Sequence, residues 1–356
     1  MLKYYVNLYY NSMNKKNHNI SWPKISLIFP TFNGSVGVER CLESVKKQVY
    51  PKNKVEIIVV DNGSTDNTIQ IAKEYTDKVY TRKVMDGGYS NRATGMRLAT
   101  GDFVYMILEQ DMELRSKYFI QKMVKPLLDN PNIVASFTRE YPKSDQPWVT
   151  RFISYNPVQL DPLFEFLAPS IDETIIDRKE GYFLCEYFAG KIPPTTHMLF
   201  RKSFLKKTRV WKQEKDFDHD TIIGIVNSGY HLFAYVPDAG DYHHHAKNLK
   251  QLIGKRIRNL NNHYFPFQDS LKYKWLDMNK GSSALKMMLW IIYANLLFPA
   301  TIRGFIRYLR YKDWALLMEP VVTVAVTDAI LVHFLINNVG RKIIFDSLRS
   351  LVGSRD

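Results

Sequence analysis

Two acidic side chains one residue apart, Glu109 and Asp111, follow a short apolar run, and that spacing lets both offer oxygen ligands to one hard divalent cation. A cation held there can also touch two phosphates and neutralise a departing diphosphate. Upstream, Asp61 closes another apolar run and is followed by Asn62-Gly63-Ser64-Thr65-Asp66. A carboxylate in that place can accept hydrogen bonds from a base or a ribose, while the turn after it supplies backbone donors and a helix cap. Taken alone, each feature is ordinary: acidic pairs occur on many solvated loops, and the Asp61 stretch reads equally well as a turn and a cap. Asp216, Asp218 and Asp220 precede an apolar periodic stretch, where they could simply cap a helix. Three histidines, His243-His244-His245, stand near the end of the same half of the chain. Neighbouring side chains on regular backbone diverge, so one of the three is expected to face any single ion.

The elements that must position these residues follow a regular rhythm. From Lys24 onward, short apolar runs alternate with amphipathic stretches: a strand over 25–30, a helix over 36–48 and a strand over 55–61. That alternation predicts βαβ units feeding a mostly parallel sheet. It continues with a helix over 67–75, a strand over 78–81, a helix over 89–99 and a buried strand over 102–108. The proline-punctuated stretch over 141–169 has no clear period. A strand over 196–200 and a helix over 219–228 then lead to a strand over 230–237. In open α/β sheets ligands bind beyond the carboxyl ends of the strands. Pro30-Thr31-Phe32-Asn33-Gly34, the Asp61 turn and Glu109-Gln110-Asp111 all fall there.

Composition narrows the class. The 356 residues, 46% of them hydrophobic, suffice for one large α/β domain and a smaller appendage. A formal charge of +14 attracts anions, whether nucleic acid, lipid head groups or phosphorylated small molecules. Cys41 and Cys185 are far apart and show no metal-binding spacing, which excludes a zinc knot and a disulfide framework. The first 20 residues lack the apolar run of a secretory signal, so the catalytic body is expected to stay in the cytoplasm.

The order of the motifs adds more than any one of them. An apolar strand ending in Pro-Thr-Phe-Asn, then Val-Val-Asp-Asn-Gly-Ser-Thr-Asp, then an acidic pair, resembles the inverting family two glycosyltransferases of the GT-A fold, over roughly residues 24–245. The resemblance implies an α/β GT-A domain, placed over 24–250 after an extension over 1–23, and the change of composition that follows points to a helical, membrane-associated region over 251–356. By the same resemblance Pro30, Thr31, Asn33, Asp61 and Gln110 contact the nucleotide sugar, and Glu109 and Asp111 stand at the family's Asp-x-Asp metal motif. Glu109 departs from the usual aspartate, so the carry-over is firmer for Asp111. Ser90 to Gly95 departs too: Arg92 is kept for a diphosphate role, and Ala93 replaces an asparagine. Counting back from Gly229 puts Asp218 at the general-base position, with Asp220 the alternative, because a carboxylate must take the acceptor hydroxyl's proton. Spacing from Pro237 favours His243 as the histidine that completes a Mn²⁺ or Mg²⁺ site.

After about Leu249 the composition shifts. Two apolar segments, 287–302 and 314–336, are short or interrupted by Glu319, Pro320 and Asp328, which predicts an interfacial or re-entrant helical pair rather than clean spans. Arg303, Arg307 and Arg310 recur at i, i+4 and i+7 and would present one basic face to anionic head groups. The expected reaction is metal-dependent transfer of a sugar from a UDP or GDP sugar to an acceptor, lipid-linked by this reasoning, at the cytoplasmic face of a membrane, in cell-surface glycan or glycoprotein assembly. A basic non-catalytic protein binding membrane or nucleic acid is the alternative from another class, but no nucleic-acid motif supports it and no nucleic-acid partner is expected. A nucleotidyltransferase of related fold would carry a glycine-rich phosphate loop after the first strand, and Pro30 to Gly34 is not one.

Overall fold

The computed structural model describes residues 21–84, 88–106, 109–158, 160–195, 197–212, 218–266 and 281–352, without the side chains of 209, 210, 218, 263, 281 and 350–352. Most of the expected 1–23 extension, residues 107 and 108 of the strand expected over 102–108, and Asp216 therefore lie outside the described residues.

The first half alternates as its pattern predicts: β1 (Ile25–Thr31), α1 (Ser35–Lys46), β2 (Val55–Asp61), α2 (Thr68–Lys73), β3 (Val79–Thr81), α3 (Tyr89–Leu98) and β4 (Phe103–Tyr105). β1 and β2 are near-continuous apolar runs because both faces of a parallel sheet are covered. α1 buries Val38, Cys41, Leu42 and Val45, the i, i+3, i+4, i+7 stripe of a helix lying on a sheet. Burying Val38, Leu42 and Val45 contributes about 1.5–3 kcal/mol each. Both cysteines are free and buried.

Next come β5 (Met112–Leu114), α4 (Phe119–Asp129), β6 (Ala135–Phe137), α5 (Trp148–Ser154), α6 (Pro162–Leu167), β7 (Ile175–Lys179) and β8 (Tyr182–Glu186). The aperiodic stretch over 141–169 thus contains two short helices, each with a proline at or next to its start, where the missing N–H matters least. β9 (Leu199–Arg201), α7 (Lys202–Lys207), α8 (Asp218–Val226), β10 (Leu232–Tyr235) and β11 (Asp241–His243) complete this part. Among the described residues the main sheet runs β3-β2-β1-β4-β9-β6-β10-β8-β7. β9 and β8 run against the others, so the sheet is mostly parallel. β11 leaves this sheet and pairs antiparallel with β5.

The chain then forms α9 (Leu249–Asn259), α10 (Gly281–Asn295), α11 (Phe298–Tyr311), α12 (Glu319–Ile336) and α13 (Asn338–Val352). These helices share a core with α5 and α6: Phe152, Ile153 and Leu163 cluster with Trp290, Leu316 and Val322. Ion pairs stitch the same boundary, Arg151 to Asp313, Arg256 to Asp161 and Arg303 to Glu165. A division at residue 250 passes through α9.

Two C-terminal expectations need correction. Pro320 does not interrupt its segment, because it sits in the first turn of α12, and Trp314–Ile336 is long and apolar enough to cross a membrane, with 39% of its most apolar window buried in the fold. The arginine face is also not simply free for head groups. Fully buried Glu319 draws Arg303 and Arg307 to 2.8 Å, since a carboxylate out of water needs its charge compensated, and Arg310 alone of the three stays exposed.

Candidate functional site

β1 runs to Thr31 level with Asp61 of β2, so the two strand tips open side by side. β2 and β3 lie on one flank of β1 and β4 on the other, and a sheet forms its ligand crevice at such a reversal of strand order. Asp61 is fully buried, and its carboxylate accepts from Gly63 N at 2.8 Å, Ser64 N at 2.7 Å and Ser64 Oγ. It therefore shapes the turn that faces β1. Asn33, left-handed at φ 45°, a conformation asparagine tolerates, donates its N–H to Ser64 Oγ at 2.9 Å and accepts from Thr65 N at 2.8 Å. Pro30, Thr31, Asn33 and Asp61 thus belong to one pair of cross-braced strand tips.

The loop after β4 closes over these tips. Gln110 accepts at Oε1 from Thr31 Oγ1 (2.9 Å) and Phe32 N (3.1 Å), and donates from Nε2 to Phe32 O (3.2 Å). Its amide is thereby engaged in holding the loop against β1. The approach is close enough that a Cβ at Gly37 would stand 2.1 Å from Gln110 O, so glycine is required in the first turn of α1. With Gln110 anchored, Glu109 and Asp111 are directed elsewhere.

β11 brings the histidine. Its register with β5 pairs His243 with Met112 and sets His243 Nε2 3.2 Å from Asp111 Oδ1 and 3.4 Å from Glu109 Oε2. The other Glu109 oxygen accepts from buried Arg92 Nη2 at 2.9 Å. His244 turns away, with Nε2 3.8 Å from Glu113, and His245 packs edge-on against His243 at 5.4 Å between ring centroids. Burial and the neighbouring His243 push His245 down to about 2, which keeps it neutral.

Behind His243 lies a set of buried groups that sequence reasoning missed. Glu140 Oε1 is 3.5 Å from His243 Nδ1, and His197 Nδ1 is 3.8 Å from that oxygen and 3.2 Å from Asp241 Oδ2. Asp241 could have been suspected from its place two residues before His243 on one strand, and His197 from opening the stretch before β9. Glu140 follows no motif. An isolated bridge between Glu140 and Asp241 brings it in, a contact between residues about 100 positions apart.

Electrostatics mark this cluster. Burial works against a charged Asp111, yet the His243 imidazolium beside it holds its carboxyl well below the usual range. Burial likewise opposes charge on His243, but Asp111 and Glu140 raise it far above an ordinary imidazole. Burial raises Glu140 in spite of His243. Two carboxylates flanking one imidazole nitrogen offer the oxygen and nitrogen donors that a divalent ion takes in place of the stabilising proton. A second set overlaps the first: oxygen and nitrogen donors of Glu109, His197 and His243 all lie within 4.8 Å of one another.

Asp220 is half-buried on α8, and the side chain of Asp218 lies outside the described residues. The helix itself is well placed. β10 runs in the direction of β1, and the turn over 227–231 joins the end of α8 to the start of β10, so the N-terminus of α8 is directed toward the site edge of the sheet. Ile222, Ile223 and Val226 anchor it in a core shared with Met106 and Met198, each close in sequence to a site loop.

Comparison with known proteins agrees with this architecture. A family model described as Glycosyl transferase family 2 matches residues 26–209. The glycosyltransferase AglE of Haloferax volcanii is 36% identical over 84 residues, which are 22% of this chain and 28% of that protein. A dolichyl N-acetyl-alpha-D-glucosaminyl phosphate 3-beta-D-2,3-diacetamido-2,3-dideoxy-beta-D-glucuronosyltransferase of Methanococcus voltae is 37% identical over 86 residues, 22% of this chain and 26% of that protein. The alignments thus span less than a third of these relatives' own length. Among solved structures, the mannosyltransferase PcManGT of Pyrobaculum calidifontis, in complex with GDP-Man and Mn²⁺, is 17% identical and has a TM-score of 0.49, with 98% of this chain and 95% of that one covered.

Proposed function

Since the chain belongs to glycosyl transferase family 2, we propose that it is an inverting glycosyltransferase that moves a sugar from a UDP or GDP sugar to an acceptor hydroxyl. The observation that carries this reading is the meeting of Glu109, Asp111 and His243 over the joined tips of β1 and β2. Glu109, Asp111 and His243 would hold the divalent ion, and an imidazole among carboxylates favours Mn²⁺ over Mg²⁺. Such an ion supplies charge neutralisation for the leaving nucleoside diphosphate.

The remaining work falls to the chain's own groups. Thr31 and the 61–65 turn, braced by Asn33, form the pocket for the nucleoside. Gln110 fixes the loop beneath it. Arg92 orients Glu109 and adds positive charge beside the diphosphate. Asp218 serves as the base that takes the proton of the acceptor hydroxyl, with Asp220 the second candidate on the same helix. The direction of α8 and the count back from Gly229 support that assignment. The donor is tested by incubating the protein with a panel of UDP and GDP sugars and Mn²⁺ and measuring release of the nucleoside diphosphate. We expect slow hydrolysis of one donor, abolished by EDTA and restored by Mn²⁺; no metal-dependent turnover of any donor would overturn the reading.

The acceptor is lipid-linked in this reading, and the protein works at the cytoplasmic face of a membrane. The dolichyl-phosphate acceptor named for the Methanococcus voltae relative supports it. So does the surface of α10 and α11, a pair bent by 72° that leaves Leu289, Ile292, Leu296, Phe298, Phe305 and Ile306 at 52–70% exposure. Six large apolar side chains this exposed on one bent helix pair suit a bilayer better than water. The wild-type protein is expected to float with phosphatidylglycerol-containing vesicles, and the double variant Phe298→Asp, Phe305→Asp to lose at least about fivefold of that binding. Wild-type protein that stays with the aqueous fraction at low salt would remove the membrane reading.

A further inference from the structure

We infer that His197 is a ligand of the same metal ion, so that the centre contains two histidines, each held from behind by its own buried carboxylate. The inference rests on the metal-centre reading above and adds a residue to it.

A ligating imidazole ordinarily gives its second ring nitrogen to a carboxylate or carbonyl, which fixes its tautomer and orientation. His243 has that form, with Nε2 toward Glu109 and Asp111 and Nδ1 toward Glu140. His197 repeats it. Its Nδ1 faces Asp241 Oδ2 at 3.2 Å, which leaves the other ring nitrogen as the ligand, and the His197, His243 and Glu109 donors cluster within 4.8 Å.

Two further observations point the same way. Asp241 is fully buried, and among the described residues neither of its carboxylate oxygens has a hydrogen-bond donor in good geometry, so the countercharge it faces is His197, 3.2 Å away. A buried carboxylate in that condition is costly unless the group it faces carries positive charge or polarity drawn toward an ion. His197 itself adopts φ 56°, in the left-handed region that histidine enters more readily than most residues, two positions before β9. Among the described residues, the four carboxylates Glu109, Asp111, Glu140 and Asp241 also outweigh the permanent charge of Arg92, which bonds Glu109, and that is the balance a divalent ion corrects.

The test uses His197→Asn, because asparagine tolerates the left-handed backbone and leaves the fold undisturbed. Mn²⁺ is titrated into nucleotide-free protein, bound ions are counted by elemental analysis, and pulsed electron paramagnetic resonance counts the nitrogens coupled to bound Mn²⁺. We expect one ion and two coupled nitrogens in the wild type, one nitrogen in His197→Asn, and an affinity lowered about 10–100-fold in that variant. Asp241→Asn should keep both nitrogens while weakening affinity about tenfold, with melting curves confirming that both variants fold. One coupled nitrogen in the wild type, or unchanged affinity in His197→Asn beside a His243→Ala variant that no longer binds, would overturn the inference and leave the metal centre intact. Two ions per chain, one of them lost in His197→Asn with the other unaffected, would overturn it in favour of a separate buried site at Glu140, His197 and Asp241. Unchanged Mn²⁺ binding in His243→Ala would instead defeat the metal-centre reading.

Discussion

Asp218→Asn is expected to lower kcat for transfer by about 10²–10⁴-fold, the usual contribution of a positioned general base, while donor binding stays within about twofold of wild type. Asparagine preserves the size and the helix-capping ability of aspartate, so α8 should still form. What disappears is the group that accepts the proton as the acceptor oxygen attacks the anomeric carbon opposite the leaving diphosphate. The measurement pairs transfer kinetics with calorimetric titration of the nucleoside diphosphate. A variant with full activity would remove Asp218 from the mechanism. Should Asp220→Asn show the large loss instead, the base lies two residues further along the same helix.

Asp111→Asn should act on binding as well as on rate. In the wild type, nucleoside diphosphate binding should tighten at least about tenfold on adding Mn²⁺, and in the variant that gain should vanish along with at least about 10²-fold of kcat/KM. Glu109→Gln is expected to cost less, because one Glu109 oxygen is already taken by Arg92 while Asp111 faces His243 alone among the described ion pairs. Removing the Asp111 charge should also lower the pKa of His243, since that carboxylate is the foremost charge raising it against burial. Equal Mn²⁺-dependent tightening in wild type and Asp111→Asn would mean that the ion, if any, binds elsewhere.

The alternation of apolar runs with amphipathic stretches made the first half of the fold legible. The strand expected over 55–61 is the strand observed, and the helices expected over 36–48 and 89–99 differ from α1 and α3 by a residue or two at their ends. Parallel strands buried on both faces leave such uninterrupted apolar signatures. The stretch over 141–169 hid α5 and α6 because each spans under two turns, too short for a helical period to register. The C-terminal arginines misled for another reason: a helical face read from spacing does not reveal a buried acid such as Glu319, contributed by the next helix, that draws the guanidinium groups inward.

By itself the chain's order determined the strand tips, the carboxylates set after them and the single histidine best spaced to join them, because backbone periodicity and turn chemistry are local properties. Only the tertiary structure decided that Gln110 braces β1, that Arg92 bonds Glu109, and that Glu140, His197 and Asp241 stand behind His243. Those contacts join residues tens to a hundred positions apart. Glu140, Asp241 and His243 meet because β11 leaves the main sheet to pair with β5 and draws Glu140 alongside, a pairing set by the packing of the whole sheet and by no local pattern.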